Sequence, residues 1–250
     1  YTECPRKFYF SYLTKLSTAN TGVVDCQVGS IERGNLEHTL IGRFFNNVNR
    51  GQELGVKIRE CLEREVLQGK IGIDAFSREE VIIDIGLGVI NGLSVLDQLK
   101  AQGATEFLFE QTFTKLLPTI MRVKGTADCV VKFPQGFGVI DFKRSSSSVP
   151  TKNALLEFES FQILSYLGSL AKDFGPMLFC AYLPLANIHE SLVLCSDQIN
   201  HHILANAFKQ QPHIFVESEW QNLMKRYAEF ELALSEKIKG DSAFNLTRNG

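Results

Sequence analysis

Residues 122–144 read RVKGTADCVVKFPQGFGVIDFKR. Two runs rich in Val, Ile and Phe flank Pro134-Gln135-Gly136, a tripeptide suited to a tight turn, so the spacing predicts an antiparallel hairpin. On its second strand Asp141 and Lys143 are two apart and project from one sheet face, while Phe142 points into a core. Counting outward from the turn brings Asp128, on the first strand, close to Asp141. An isolated Asp-x-Lys on a strand is ordinarily a salt bridge. Two carboxylates on adjacent strands are a different matter, because they repel unless a cation lies between them. Oxygen donors of this kind suit Mg2+ or Mn2+. Gly125, just ahead of Asp128, predicts close backbone approach in a crowded site.

Outward from the hairpin the pattern alternates. EFLFEQTFT (106–114) reads as a preceding strand that carries Glu110, and MLFCAYLP (177–184) and SLVLC (191–195) read as two later ones. Helical periodicity places Phe8, Tyr12 and Leu16 on one face of a first helix. LSTANTGVVDCQVGS (16–30) follows as a loop. Gly34, His38, Ile41, Phe45 and Val48 share a face of a helix over about 31–48. A further helix covers about 54–67. Ser77 with Glu80 forms a capping box for a long apolar helix to about Lys100, which Gly103 would stop. Gly86, Gly88 and Gly92 inside it have no preceding strand and no following Gly-Lys-Ser/Thr, so they predict close helix packing rather than a phosphate loop. RSSSSVPTK (144–152) reads as a flexible, partly basic loop. A helix over about 153–172 follows, with Gln162 and Tyr166 four apart on one face. The remainder reads as helical, with Trp220, Met224 and Tyr227 on an apolar face. The predicted class is α/β, a central mixed sheet flanked by helices, with a helical insertion at about 49–104.

A chain of 250 residues, 44% hydrophobic, is long enough for one large domain with a real core. A net charge of -2 excludes a protein that coats nucleic acid by bulk electrostatics, so any basic surface must be local. The six cysteines form no CxxC pair and match no zinc spacing. Most of them read as small core residues in a reducing cytoplasm. No apolar run is long enough to span a bilayer, and no secretory signal opens the chain, so no membrane role is expected. The abrupt start at YTECPRKFYFSYL and the end at LTRNG suggest a domain of a longer polypeptide. His189, His201, His202 and His213 have no ligand spacing with carboxylates and read as surface or structural.

Taken in order, CPRKFYF (4–10), GNLEH (34–38), EQTF (110–113), GTADCVV (125–131), DFK (141–143) and QILSY (162–166) resemble the RecB-like nucleases of the PD-(D/E)XK superfamily. That group includes AddB-type subunits and CRISPR adaptation exonucleases. The resemblance implies a restriction-endonuclease-like core in a single nuclease domain over 1–250. It implies a metal held by His38, Asp128, Asp141 and the Phe142 carbonyl, with Mg2+ or Mn2+ as the ion. Lys143 would orient a water or stabilise transition-state charge, and Glu110 would support the site. Gln162 and Tyr166 would position the DNA backbone and brace the active-site strand. Lys143, Arg144 and Lys152 flank the Ser-rich loop, which would track a single strand. The implied activity is a deoxyribonuclease, an exonuclease acting on single- or double-stranded DNA ends in recombination or repair, with a helicase domain or subunit as partner. The alternative is a nuclease fold that has lost catalysis and grips DNA ends, or a structural domain of a repair complex. Retention of His38, Asp128, Asp141, Lys143, Gln162 and Tyr166 favours activity. Some relatives hold an iron–sulfur cluster with one front cysteine and three near the end. Cys4 stands in the matching front motif, but no cysteine follows Cys195, so no cluster is expected in this chain. Cys4 is a candidate ligand only in a longer parent, where it would lie close to the C-terminal segment.

Overall fold

The turn at Pro134-Gln135 closes the expected hairpin. β2 (Arg122–Phe133) and β3 (Gly136–Lys143) pair antiparallel, with Phe133 opposite Gly136 and Cys129 opposite Ile140. This computed structural model describes residues 30–47, 54–67, 78–117 and 122–247. β1 (Glu106–Leu116) lies antiparallel on the outer side of β2. β4 (Met177–Pro184) runs parallel to β3, β5 (Leu192–Ser196) antiparallel to β4, and the short β6 (His213–Phe215) parallel to β5. The result is one mixed sheet in the order β1-β2-β3-β4-β5-β6. β3 is buried at every position up to Phe142, which is why its sequence is a near-continuous apolar run broken only by Asp141.

Helices cover both faces. On one lie α1 (Ser30–Asn47), α2 (Leu54–Leu67), α3 (Arg78–Ala101) and, further along the chain, α6 (His201–Phe208), over Cys129, Val131, Ile140 and Phe142. On the other lie the short α4 (Lys152–Leu156), α5 (Gln162–Phe174) and α7 (Glu217–Thr247), over Val130, Phe137, Val139 and Tyr182. Asp141 and Lys143 project toward this second face by the alternation of β3. The layering is the restriction-endonuclease-like α/β arrangement expected from the sequence. No described helix is long and apolar enough to cross a membrane.

α3 ends as expected: Gly103 takes φ +104°, and the Ala104 N–H closes back on the Leu99 carbonyl at 3.0 Å. Its glycines pack as read from the sequence at two of three positions. A Cβ on Gly92 would stand 2.6 Å from Ile41, and one on Gly88 2.8 Å from Glu37. Gly86 has nothing closer than 3.8 Å, so it marks no tight contact. Cys61, Cys129, Cys180 and Cys195 are free thiols buried in the core. Trp220, Met224 and Tyr227 are buried on one face of α7.

Three expectations need correction. The helix read over 153–172 is two helices, because the chain breaks at Phe158, which adopts φ +62°. The left-handed backbone costs about 1–2 kcal/mol, and burying a Phe ring returns about 1.5–3 kcal/mol. Phe158 is buried against Tyr227 and Phe230, with ring centroids 5.9 and 5.2 Å away. The Ser-rich loop is drawn into one 3-10 turn at Ser146–Ser148, with Ser145 Oγ 2.8 Å from Ser147 Oγ, and Thr151 caps α4. The stretch after β5 is not wholly helical, since backbone pairing with β5 makes His213–Phe215 a strand. The expectations for Cys4, Phe8, Tyr12, Leu16, Cys26, Val48 and Ser77 fall outside the described residues.

Candidate metal and catalytic centre

β3 delivers Asp141 and Lys143 side by side. Lys143 Nζ lies 2.5 Å from Asp141 Oδ2, and Asp141 is 1% exposed. Asp128 reaches across from β2: the Phe142 N–H donates to Asp128 Oδ2 at 2.8 Å. The same oxygen lies 3.6 Å from His38 Nδ1 on α1. The His38 ring meets the edge of Phe142 at 5.4 Å between centroids, so one strand residue seats both groups.

Glu110 arrives by a different route. It takes φ +51°, the left-handed region, and the β1–β2 register passes from Phe109 opposite Cys129 to Gln111 opposite Ala127 without pairing it. The facing of the strands changes at this point. Phe109 and Cys129 pack under α1, whereas Phe113 and Ala127 pack against α5. A left-handed non-glycine residue is strained, and such strain collects at functional sites. The kink leaves one ligand atom from each of His38, Glu110 and Asp128 within 4.8 Å of one another.

The electrostatics of this cluster call for a cation. Burial pushes the Asp128 carboxyl up to about 8; the charges of Asp141 and Glu110 push the same way, against the Phe142 N–H and Lys143. Burial also raises Asp141, which Lys143 opposes. Burial and the nearby Lys143 push His38 down to about 4, so its imidazole is neutral at neutral pH with a lone pair to offer. An imidazole beside crowded carboxylates is a donor set that fits Mg2+ or Mn2+. The structure gathers His38, Glu110 and Asp128 most tightly, with Asp141 adjacent and tied to Lys143.

α5 begins at Gln162 because the chain breaks at Phe158, and this puts the Gln162 side chain beside the centre. Lys143 Nζ lies 3.4 Å from Gln162 Oε1, and the Gln162 amide donates to the Tyr166 hydroxyl. The Tyr166 and Phe113 rings crowd Gly125, where a Cβ would stand 2.5 Å from Phe113. The close approach read at Gly125 is therefore one of aromatic rings. Burial pushes the Tyr166 hydroxyl up to about 12, so it stays protonated as a donor.

Arg144 and Lys152 are placed otherwise. Arg144 donates to Glu37 Oε1 at 2.9 Å and to Asp84, on the face opposite to Asp141. Lys152 stands over the Phe215 ring at 5.7 Å. Tyr182 was missed from the sequence. It pairs with Asp141 across the parallel β3–β4 ladder, and Lys143 Nζ stands 5.4 Å from its ring centroid. The alternation of Cys180 and Tyr182 in MLFCAYLP, set beside DFK, was the available signal. Glu37, the residue before His38 in GNLEH, has no spacing in the sequence that marks it out. It is 2% exposed, and burial pushes its carboxyl up to about 8 against the pull of Arg144.

A family model described as the PD-(D/E)XK nuclease superfamily matches residues 1–239. No curated protein matches the sequence significantly. Among solved structures, the crystal structure of protein VC1899 from Vibrio cholerae is 10% identical with a TM-score of 0.29, over 82% of this chain and 57% of that one. The chain thus spans little more than half of that protein's length.

Proposed function

We infer that this chain, which belongs to the PD-(D/E)XK nuclease superfamily, is a metal-dependent deoxyribonuclease that hydrolyses DNA from its ends. The observation that carries the reading is the convergence of His38, Glu110 and Asp128 within 4.8 Å, next to the Asp141–Lys143 pair. His38, Asp128 and Asp141 would hold the ion, with the Phe142 carbonyl and Glu110 completing its surroundings. When bound, the ion supplies Lewis-acid polarisation of the scissile phosphate and a lowered pKa for a bound water.

The chain's own groups do the rest. Lys143 Nζ, steered by Asp141 and Gln162, donates to the attacking water or to a non-bridging phosphate oxygen as charge builds there. Gln162 and Tyr166 present donors for the DNA backbone beside it. The turn at Ser146–Ser148, three residues beyond Lys143, would track the strand. The domain reading is a single nuclease domain over 1–250 with a helical insertion at about 49–104. It would work in the cytoplasm in recombination or repair, alongside a helicase.

Linear and circular DNA, single- and double-stranded, incubated with Mg2+ or Mn2+, test this reading. Linear substrates should be degraded to short products, circular ones should persist, and EDTA should stop the reaction. Cleavage that continues in EDTA, or none with either ion, would overturn it.

A further inference from the structure

Behind the centre, on the far face of the sheet, Arg144 joins three elements. Its guanidinium donates to Glu37 Oε1 on α1 at 2.9 Å and to Asp84 on α3, while Arg33 of α1 lies 3.7 Å from the same Asp84 carboxylate. Its backbone is pinned as well: the Ala186 N–H donates to the Arg144 carbonyl at 3.1 Å, next to the bond from the Leu185 N–H to the Lys143 carbonyl at 2.7 Å. Asn91 of α3 in turn donates to the Leu185 carbonyl at 2.7 Å. Gly88 of α3 leaves the room that Glu37 fills, since a Cβ there would stand 2.8 Å from Glu37 Oε1.

The placement along the chain matters. Glu37 directly precedes His38, and Arg144 directly follows Lys143. One side of the pair therefore anchors the helix that carries the imidazole, and the other anchors the end of the strand that carries the acid and the ammonium. His38 Nδ1 lies 3.6 Å from Asp128 Oδ2, and the ring also bonds to the backbone of Phe142, so its place depends on how α1 sits against β3. A slip of α1 along the sheet would widen that distance. A guanidinium suits the task because its planar fork can donate to two carboxyl groups at once, which an ammonium on a flexible stem does poorly. Glu37 Oε1 accepts in either protonation state of the carboxyl.

We propose that Glu37 and Arg144 are positioning residues that lock α1 to the end of β3 and so hold His38 in place for a divalent cation, Arg144 serving this clamp rather than a contact with DNA. The proposal rests on the metal reading of the site given above. It concerns residues outside that ligand set.

The test is calorimetric titration of Mn2+ into DNA-free wild type, Arg144→Lys and Glu37→Met at one pH. Melting curves and the affinity for a fluorescent single-stranded oligonucleotide in EDTA accompany it. Arg144→Lys keeps the charge and loses the fork; Glu37→Met keeps the volume and loses the acceptor. Each should raise the Mn2+ Kd about tenfold or more, the scale typical of groups that orient ligands. Oligonucleotide affinity should stay within about twofold, because neither change removes a cation from DNA. If Glu37→Met fails to fold, Arg144→Lys alone carries the reading. Unchanged Mn2+ affinity in a folded Arg144→Lys, whatever its melting temperature, would overturn the clamp. So would a loss confined to oligonucleotide binding. Wild type that binds no Mn2+ would sink the metal reading and the clamp together, whereas tight wild-type binding matched by Arg144→Lys would sink the clamp alone.

Discussion

Lys143→Met should lower the rate of DNA cleavage by about 10²–10³-fold or more, with KM little changed, because the donor that it removes would act mainly on charge that develops in the transition state. The ammonium sits between Asp141 Oδ2 at 2.5 Å and Gln162 Oε1 at 3.4 Å. It is thus fixed before substrate arrives, and no reorganisation is needed at the moment of reaction. Asp141→Asn should fall as far, since it removes both the oxygen proposed to hold the metal and the anchor of Lys143. Circular dichroism and melting curves on both variants separate chemistry from folding. Lys143→Met cleaving at the wild-type rate would remove the residue from the reaction.

The second large effect is on stability. Asp128 is held protonated up to about 8, far above the ordinary carboxylate range. The folded state therefore binds more protons than the unfolded state between roughly pH 4 and 8, and stability of the metal-free protein falls as pH rises through that window. One proton sets a ceiling of about 1.4 kcal/mol per pH unit. Glu37, also raised to about 8, acts in the same direction. Asp128→Asn removes the first contribution and leaves the second. Its metal-free melting temperature should exceed that of wild type at pH 8, with a shallower decline from pH 5. Mn2+ should reverse the order. At about 100-fold excess over Kd it stabilises wild type by about 2.7 kcal/mol, or roughly 5–10 °C for a chain of this size, and should not shift the variant. Thermal melts of both proteins in EDTA and in Mn2+ at pH 5 and 8 check these expectations. A metal-free Asp128→Asn less stable than wild type at pH 8 would contradict the crowding of negative charge at the site.

Local chemistry explains which parts were legible in the sequence. The hairpin followed from Pro134-Gln135-Gly136, and strand alternation then brought Asp128, Asp141 and Lys143 to one place. Gln162 and Tyr166 followed from helical spacing, although the break that starts α5 at Gln162 did not. That break depends on Phe158 finding the rings of α7, a contact made only in the folded chain. Glu110 was legible as a residue but not as a close neighbour of His38, because a left-handed kink in β1 carries it there. His38 stood out only in the order of motifs, since a lone histidine on an apolar helix face is usually structural. The pairing of Glu37 with Arg144 bridges 107 positions and has no pattern in sequence. A basic residue next to Lys143 read naturally as a phosphate contact, and the structure turns it to the opposite face.

Anomalous diffraction from crystals grown in Mn2+ tests the central claim most directly. The account predicts a manganese peak in bonding contact with His38 and Asp128, with an oxygen of Asp141 or Glu110 as a further ligand. No peak at that position at millimolar Mn2+, or one bound to other residues, would contradict it.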